Sequence, residues 1–286
     1  MPPVRRTFRL WCLATLALAA ATLTAQSPAP AANDPLLKDF SWRNVGNASL
    51  IGRISAIDAL DDDWTYVVVG AASGGVWKST NGGTTWTTIF DQYGSASIGA
   101  VRIFQKNKDL IWVGTGESWG RNSAAWGDGI YKSTDGGKTF TNMGLRDSYN
   151  IERIVTHPVN PDIVWVSAVG NIWAPVGSRG IFKTIDGGKT WAKLTEGLPS
   201  DPETGAAALV IDPVNPEVLY ASFWQRYRRP WVLMSGGPNS GIFKTTNGGK
   251  TWTKLTKGLP TGDMGRIGLA VARSNPKVLM AHVEHG

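Results

Sequence analysis

The sequence predicts an all-β protein, a β-propeller of four-stranded blades, and three observations carry that expectation. One short phrase is written four times: STNGGTTW at residues 79–86, STDGGKTF at 133–140, TIDGGKTW at 184–191 and TTNGGKTW at 245–252. Its starts lie 54, 51 and 61 residues apart, a period too long for helical-pair repeats and suited to a four-stranded sheet with one variable loop. Between the copies run short stretches rich in Val, Ile and Trp, bounded by Gly and Asn-Pro turn formers. Composition agrees, with 34 glycines for tight turns and 14 tryptophans to pack over them.

The chain opens with a basic start (Arg5, Arg6, Arg9), an apolar run at residues 10–21 and the small-residue site Leu23-Thr24-Ala25. That order reads as a secretory signal peptide over residues 1–25, short for a membrane span, with an uncleaved anchor as the alternative. The mature chain is expected to be secreted or periplasmic after cleavage near Ala25, with no membrane span. The sole cysteine, Cys12, falls inside the apolar run. A mature protein without cysteine has no disulfides, so its stability rests on core packing. Residues 26–39 read as a Pro/Ala-rich linker and residues 40–286 as the propeller.

The formal charge of +7 includes three arginines of the leader, whose removal leaves 26 basic against 22 acidic residues. No Lys/Arg run gives a nucleic-acid footprint. Histidine is scarce (His157, His282, His285), and His282 and His285 fall on opposite sides of a strand, so neither a metal site nor a Ser-His pair emerges. No cofactor is expected.

The second repeat gives the blade plan. An inner strand covers residues 97–104, a turn 106–109, a second strand 110–116, a loop reaches Asp128, a third strand covers 129–133, and an outer strand 139–143. In the other repeats the first turn is spelled HPVNPD at 157–162, DPVNPE at 212–217 and SNPK at 274–277. Asn-Pro suits a turn because Pro fixes its own φ and bars the preceding residue from the α region. The blades are then about 53–90, 97–143, 151–194, 206–255 and an incomplete 266–286. An open sheet edge is a liability that closure removes, so the expectation is a fragment of a longer polypeptide that supplies the remaining blades. Residues 40–45 are expected to add a closing strand.

Each phrase is itself a turn. Its structural positions are Ser79, Asn81, Gly83 and Trp86, then Ser133, Asp135, Gly137 and Phe140. The later copies supply Thr184, Asp186, Gly188 and Trp191, then Thr245, Asn247, Gly249 and Trp252. The glycines supply positive φ, Asp or Asn caps the turn's N–H groups, and the aromatic closes over it. Two copies carry Asn, which cannot act as a general base, so the carboxylates of the others are read as turn chemistry.

The pattern S/T-x-D/N-G-G-x-T-W/F resembles the Asp-box, or BNR repeat, of sialidases, xyloglucanase-type glycoside hydrolases and sortilin-type propellers. The stretches VVVGAASGGVWKSTNGGTTW, SIGAVRIF, IWVGTGES and GDGIYKSTDGG are similar to a group of secreted bacterial proteins described as BNR-repeat glycosyl hydrolase-like or sortilin N-terminal domain proteins. The resemblance covers residues from about 40 to the end. It implies a propeller, with an activity that the repeat does not specify. Xyloglucanase-type relatives carry a catalytic aspartate in R-T-D-I-G-G-A-Y; residues 70–77 here read GAASGGVW, without a carboxylate. The sialidase Arg-Ile-Pro is absent as well, since Arg53-Ile54 is followed by Ser55.

In a radial blade alternate connections lie on opposite faces. The Asn-Pro and box turns share one face; the second-to-third loops and inter-blade links share the other, the candidate binding face. Three loops stand out there, ESWGRNSAAWGD at 117–128, NIWAPVGSR at 171–179 and SFWQRYRRPWVLMSGGPNS at 222–240. Ligand-binding candidates are Trp119, Arg121, Trp126, Trp173 and Arg179, with Trp224, Arg226, Tyr227, Arg228, Arg229 and Trp231 from the longest loop. Aromatic faces stack on sugars or pack on peptide side chains, and arginine forks suit carboxylates; the same residues can equally pin the loops. Near the axis, Arg53 and Arg266 fall in register and Arg153 lies two residues further along its strand. These three either bind an anion or tie blades together. A glycosidase needs two carboxyl groups, and Glu117, Asp128 and Glu152 are the candidates. The expected function is a secreted scaffold binding extracellular carbohydrate or peptide. A glycoside hydrolase and an assembly domain of a longer protein stand as alternatives.

Overall fold

The structure is a computed structural model and describes residues 53–285. The expected signal peptide, the linker and the strand at residues 40–45 lie outside the described residues.

Four antiparallel blades and a partial fifth sheet make up a β-propeller. Blade one is β1 (Ile54–Ala59), β2 (Val67–Ala71), β3 (Gly75–Ser79) and β4 (Thr87–Thr88). Blade two is β5 (Ile98–Phe104), β6 (Asn107–Thr115), β7 (Ile130–Ser133) and β8 (Thr141–Asn142); blade three is β9 (Ile151–Thr156), β10 (Val164–Ala168), β11 (Gly180–Thr184) and β12 (Ala192–Leu194). Blade four holds β13 (Thr204–Ile211), β14 (Leu219–Arg229), β16 (Gly241–Thr245) and β17 (Thr253–Leu255), with β15 (Val232–Ser235) paired to the far end of β14. The fifth sheet pairs β18 (Met264–Val271) with β19 (Leu279–His285).

Two elements differ from the sequence reading. The expected turn at 106–109 is strand, because Phe104 pairs with Asn107 and the hairpin closes over Gln105-Lys106. The expected loop 222–240 is largely a β-ribbon: β14 continues to Arg229, which pairs with Val232 around a Pro230-Trp231 tip. Its arginines hid an ordinary period-2 strand, since Trp224, Arg226 and Arg228 share one side of it.

Apolar residues of neighbouring sheets interlock. Val68, Val76, Ile98 and Ile111 lie between blades one and two, and Trp112, Ile130, Ile151 and Val166 between two and three. Trp165, Ile181, Leu219 and Phe243 fill the next interface, and Ile242, Met264 and Ile267 the last. Inner strands touch in chain order, β1 with β5, β5 with β9, β9 with β13 and β13 with β18.

The box turns hold both their own blade and the next. Ser79 Oγ accepts the Gly83 N–H (2.8 Å) and donates to Asn81 Oδ1 (3.0 Å), and Asn81 Oδ1 accepts the Thr85 N–H (2.9 Å). Ser133/Asp135, Thr184/Asp186 and Thr245/Asn247 repeat this. The residue before each Ser or Thr is lysine. Lys78, Lys132 and Lys183 donate to the carbonyls of Gly136 (2.6 Å), Gly187 (3.0 Å) and Gly248 (2.9 Å) in the following box. On the way they cross Tyr66, Trp112 and Trp165 at 5.8, 5.0 and 4.9 Å from ring centroids, cation–π contacts that couple blade to blade.

The two faces separate as the topology requires. Box glycines donate to the first turn of their own blade, as Gly136 to Asp109 (2.9 Å) and Gly187 to Asp162 (3.0 Å). Second-to-third loops bond to the inter-blade links instead, as Gly127 to Tyr149 (2.7 Å), Val169 to Asn150 (3.0 Å) and Ser178 to Asp147 (2.8 Å). His157 belongs to the turn face: its Nδ1 accepts the N–H groups of Val159 (3.1 Å) and Asn160 (3.0 Å), as Asp212 Oδ1 does for Val214 and Asn215. Burial holds the His157 pKa below its ordinary value, consistent with that acceptor role.

Candidate functional site

A β-bulge interrupts each inner-strand pairing near the loop face: between Ile54 and Ala56, Ile98 and Ala100, opposite Ser167 and Ala168, between Ala206 and Leu209, and between Met264 and Ile267. A bulge re-aims side chains out of the strand's alternation. In β18 the extra pair is Gly265-Arg266, and the Arg266 N–H is caught by Glu284 Oε2 (2.8 Å). The Arg266 guanidinium then pairs with Glu152 of blade three. Arg53, at the start of blade one, pairs with Glu117 of the blade-two loop. Arg153 does not join them. It lines an axial cavity of about 500 Å³ toward the turn face, beside Asp58, Asp61, Arg102 and Arg273. Register counted along the sequence placed it with Arg53 and Arg266; the bulges break that count.

Beside the Arg266–Glu152 pair, rings and guanidiniums stack. Arg266 lies 4.1 Å from the Trp119 ring centroid and 5.4 Å from that of Trp224; Arg226 lies 4.4 Å from Trp224 on blade four. Trp119 remains 47% exposed, whereas Trp224 is only 3% exposed and donates Nε1–H to Ser235 Oγ (3.0 Å). Trp224 is thus packed beneath Arg226 and Arg266 and is not an open face of the loop surface. Arg226 is 4% exposed; its Nη1 donates to Ser118 O (3.3 Å), while Nε and Nη2 find no hydrogen-bond partner among the described residues. Burial first, then repulsion from Arg266, Arg228 and Arg179, pushes its pKa down to about 10, with Glu152 opposing.

The remaining candidates divide into exposed and structural. Trp126 (58% exposed) meets Tyr149 edge-on, and Trp231 (81% exposed) tops the β14–β15 ribbon. Arg121 and Arg229 are exposed, the latter lying over the half-buried Tyr227 at 4.9 Å. Arg228 reaches Asn122 of the blade-two loop. Arg179 is buried; its Nη2 donates to the carbonyls of Asn171 (3.1 Å), Ala174 (3.1 Å) and Val176 (3.3 Å), so it curls its own loop. Trp173 Nε1–H reaches Ala124 O (3.4 Å) and ties that loop to blade two.

The three carboxylate candidates are all engaged. Glu117 and Glu152 are buried under the loops against their arginines. Asp128 accepts hydrogen bonds from Tyr131 Oη (2.5 Å) and Thr115 Oγ1 (3.3 Å) and faces Arg146 (3.7 Å). Sequence reasoning missed three supports. Asn150, fully buried, donates to Glu117 O (2.5 Å); Ser235 donates to Glu284 (2.7 Å), and Glu284 holds the Arg266 bulge. Each is an ordinary polar residue in a link or strand, and no local pattern marks it.

Residues 128–266 match the family described as Sortilin-Vps10 (sortilin, neurotensin receptor 3). The chain is 26% identical over 200 residues to the probable oligoxyloglucan-reducing end-specific xyloglucanase of Neosartorya fischeri, a match of 65% of this chain and 20% of that protein. It is 25% identical over 232 residues to a xyloglucanase of Paenibacillus sp, with 72% of this chain and 20% of that protein covered. The chain thus spans about a fifth of the length of these relatives. Among solved structures, an ancestral GH74 enzyme superposes with a TM-score of 0.60 at 21% identity, over 78% of this chain and 26% of that one. The GH74 xyloglucanase from Xanthomonas campestris gives 0.56 at 16% identity, over 80% and 35%. These superpositions establish the fold.

Proposed function

We propose that this Asp-box propeller, similar in sequence to xyloglucanases and to the sortilin type, is an extracellular carbohydrate-binding scaffold that uses its loop face. The observation that carries the reading is the set of open indole faces there: Trp119, Trp126 and Trp231, between 47% and 81% exposed, beside exposed Arg121 and Arg229. Trp64 and Trp86 are exposed on the turn face as well; large flat apolar rings left in water beside arginines are characteristic of binding surfaces. Catalysis is the second reading, supported by the names of the curated relatives. A glycosidase needs two carboxyl groups flanking the bond, whereas Glu117 and Glu152 are buried in ion pairs and Asp128 braces a loop. Binding is therefore the function favoured here.

Titration calorimetry with xyloglucan oligosaccharides, beside a reducing-end assay, tests it. Binding without hydrolysis is expected, and Trp126→Ala or Trp231→Ala should weaken it about fivefold to thirtyfold, as losing one stacking face worth about 1–2 kcal/mol would. Steady release of reducing ends would transfer the assignment to the hydrolase reading.

A further inference from the structure

Charge in the axial cluster does not balance. Five guanidiniums, those of Arg53, Arg121, Arg226, Arg228 and Arg266, gather on the loop face, Arg266 lying over Trp119, and four carboxylates, Glu117, Glu152, Glu203 and Glu284, are set among them. Glu117 and Glu152 are engaged by Arg53 and Arg266, and Glu284 by Ser235 and the Arg266 N–H. Arg228 bonds to the neutral amide of Asn122, and Arg121 is exposed two residues from Trp119. Arg226 is the most telling, because it is 4% exposed and its Nε and Nη2 have no partner among the described residues. A buried cation with unmet donors is costly, and an incoming anion relieves that cost. The planar fork of arginine matches a carboxylate in particular. Trp119 has one face covered by Arg266 at 4.1 Å and is still 47% exposed, leaving room for a ring.

We infer that this cluster selects an acidic glycan, with a uronic acid ring against Trp119 and its carboxylate among the arginines. The inference rests on the carbohydrate-binding reading above and narrows it from sugars in general to anionic ones. A neutral sugar would use the indole and leave the excess positive charge uncompensated.

The test compares tetragalacturonate with a neutral xyloglucan heptasaccharide, by calorimetry on the full chain at 50 and 500 mM salt. Tetragalacturonate should bind at least tenfold more tightly at low salt, and the preference should shrink at high salt as the ion pairs are screened. Arg121→Gln, a surface change, should weaken tetragalacturonate at least fivefold more than it weakens the neutral sugar. Arg226→Met should melt no lower than the wild type, since it removes an unpaired buried charge, yet lose the preference. Should that variant not fold, Arg121→Gln alone decides. Equal or tighter binding of the neutral sugar would overturn the uronate inference and leave the glycan reading standing. Binding of neither glycan, with or without binding of an acidic peptide, would remove both.

Discussion

Asp135 and Asp186 show how little a carboxylate in this fold says about catalysis. Each is held well below the usual carboxylate range, chiefly by the hydroxyl of Thr139 or Thr190, then by the backbone N–H of the same threonine and by Ser133 or Thr184. In the other two boxes an amide takes the position and donates to the threonine instead, Asn81 to Thr85 (2.9 Å) and Asn247 to Thr251 (2.8 Å). Asp135→Asn and Asp186→Asn should therefore leave the melting temperature at pH 7 nearly unchanged, while the alanine variants lower it. A depressed folded pKa contributes stability above the unfolded value near 3.9 and loses it as pH falls below that. Thermal melts between about pH 5 and 2 should accordingly be flatter for the double Asn variant than for the wild type. At the loop face, Glu152→Gln leaves Arg266 without its counter-charge beside the unpaired Arg226. Breaking such a pair typically costs about 3–5 kcal/mol, and urea denaturation would measure it.

Among the elements, the lysine-over-aromatic clamp and the β14–β15 ribbon differ most in what they support. Trp165 is fully buried, donates Nε1–H to Gly248 O (3.2 Å), and lies under Lys183. Its replacement by alanine should cost about 3–5 kcal/mol, read by chemical denaturation. The ribbon tip contrasts with this, since Trp231, Val232, Leu233 and Met234 are all exposed. Chymotrypsin at low dose should cut first after Trp231, as mass spectrometry of the nicked chain would reveal, because exposed tips open most readily. The box repeat was legible because its turn demands Gly, Asp/Asn and Ser/Thr at fixed spacing. The ribbon was not, because Arg226, Arg228 and Arg229 disguised the alternation of a strand whose sides both meet polar neighbours.

Across the whole molecule, stability comes from the apolar interfaces between sheets, and the charged contacts at the rim add little. Arg273 of the fifth sheet meets Asp61 of blade one, with both side chains more than half exposed. Asp61→Asn should shift the unfolding free energy by less than about 1 kcal/mol, as expected of a surface pair. By contrast, the loop-face cluster gathers Arg53, Glu117, Glu152, Arg226 and Arg266 from all five sheets, and no stretch of sequence contains more than a fragment of it.

The sequence by itself determined the propeller and its repeat, and set the box turns on one face and the variable loops on the other, since turn chemistry and strand periodicity are local. Only the tertiary structure decided which arginines meet. Bulges on the inner strands turned Arg266 toward Glu152 and left Arg153 in the axial cavity; the extended β14 carried Arg226 into the blade-two loop and buried Trp224 beneath it. Those pairings depend on register shifts of a residue or two and on contacts spanning more than a hundred positions, such as Arg226 to Ser118 and Arg266 to Glu152. Neither leaves a periodic trace in the chain.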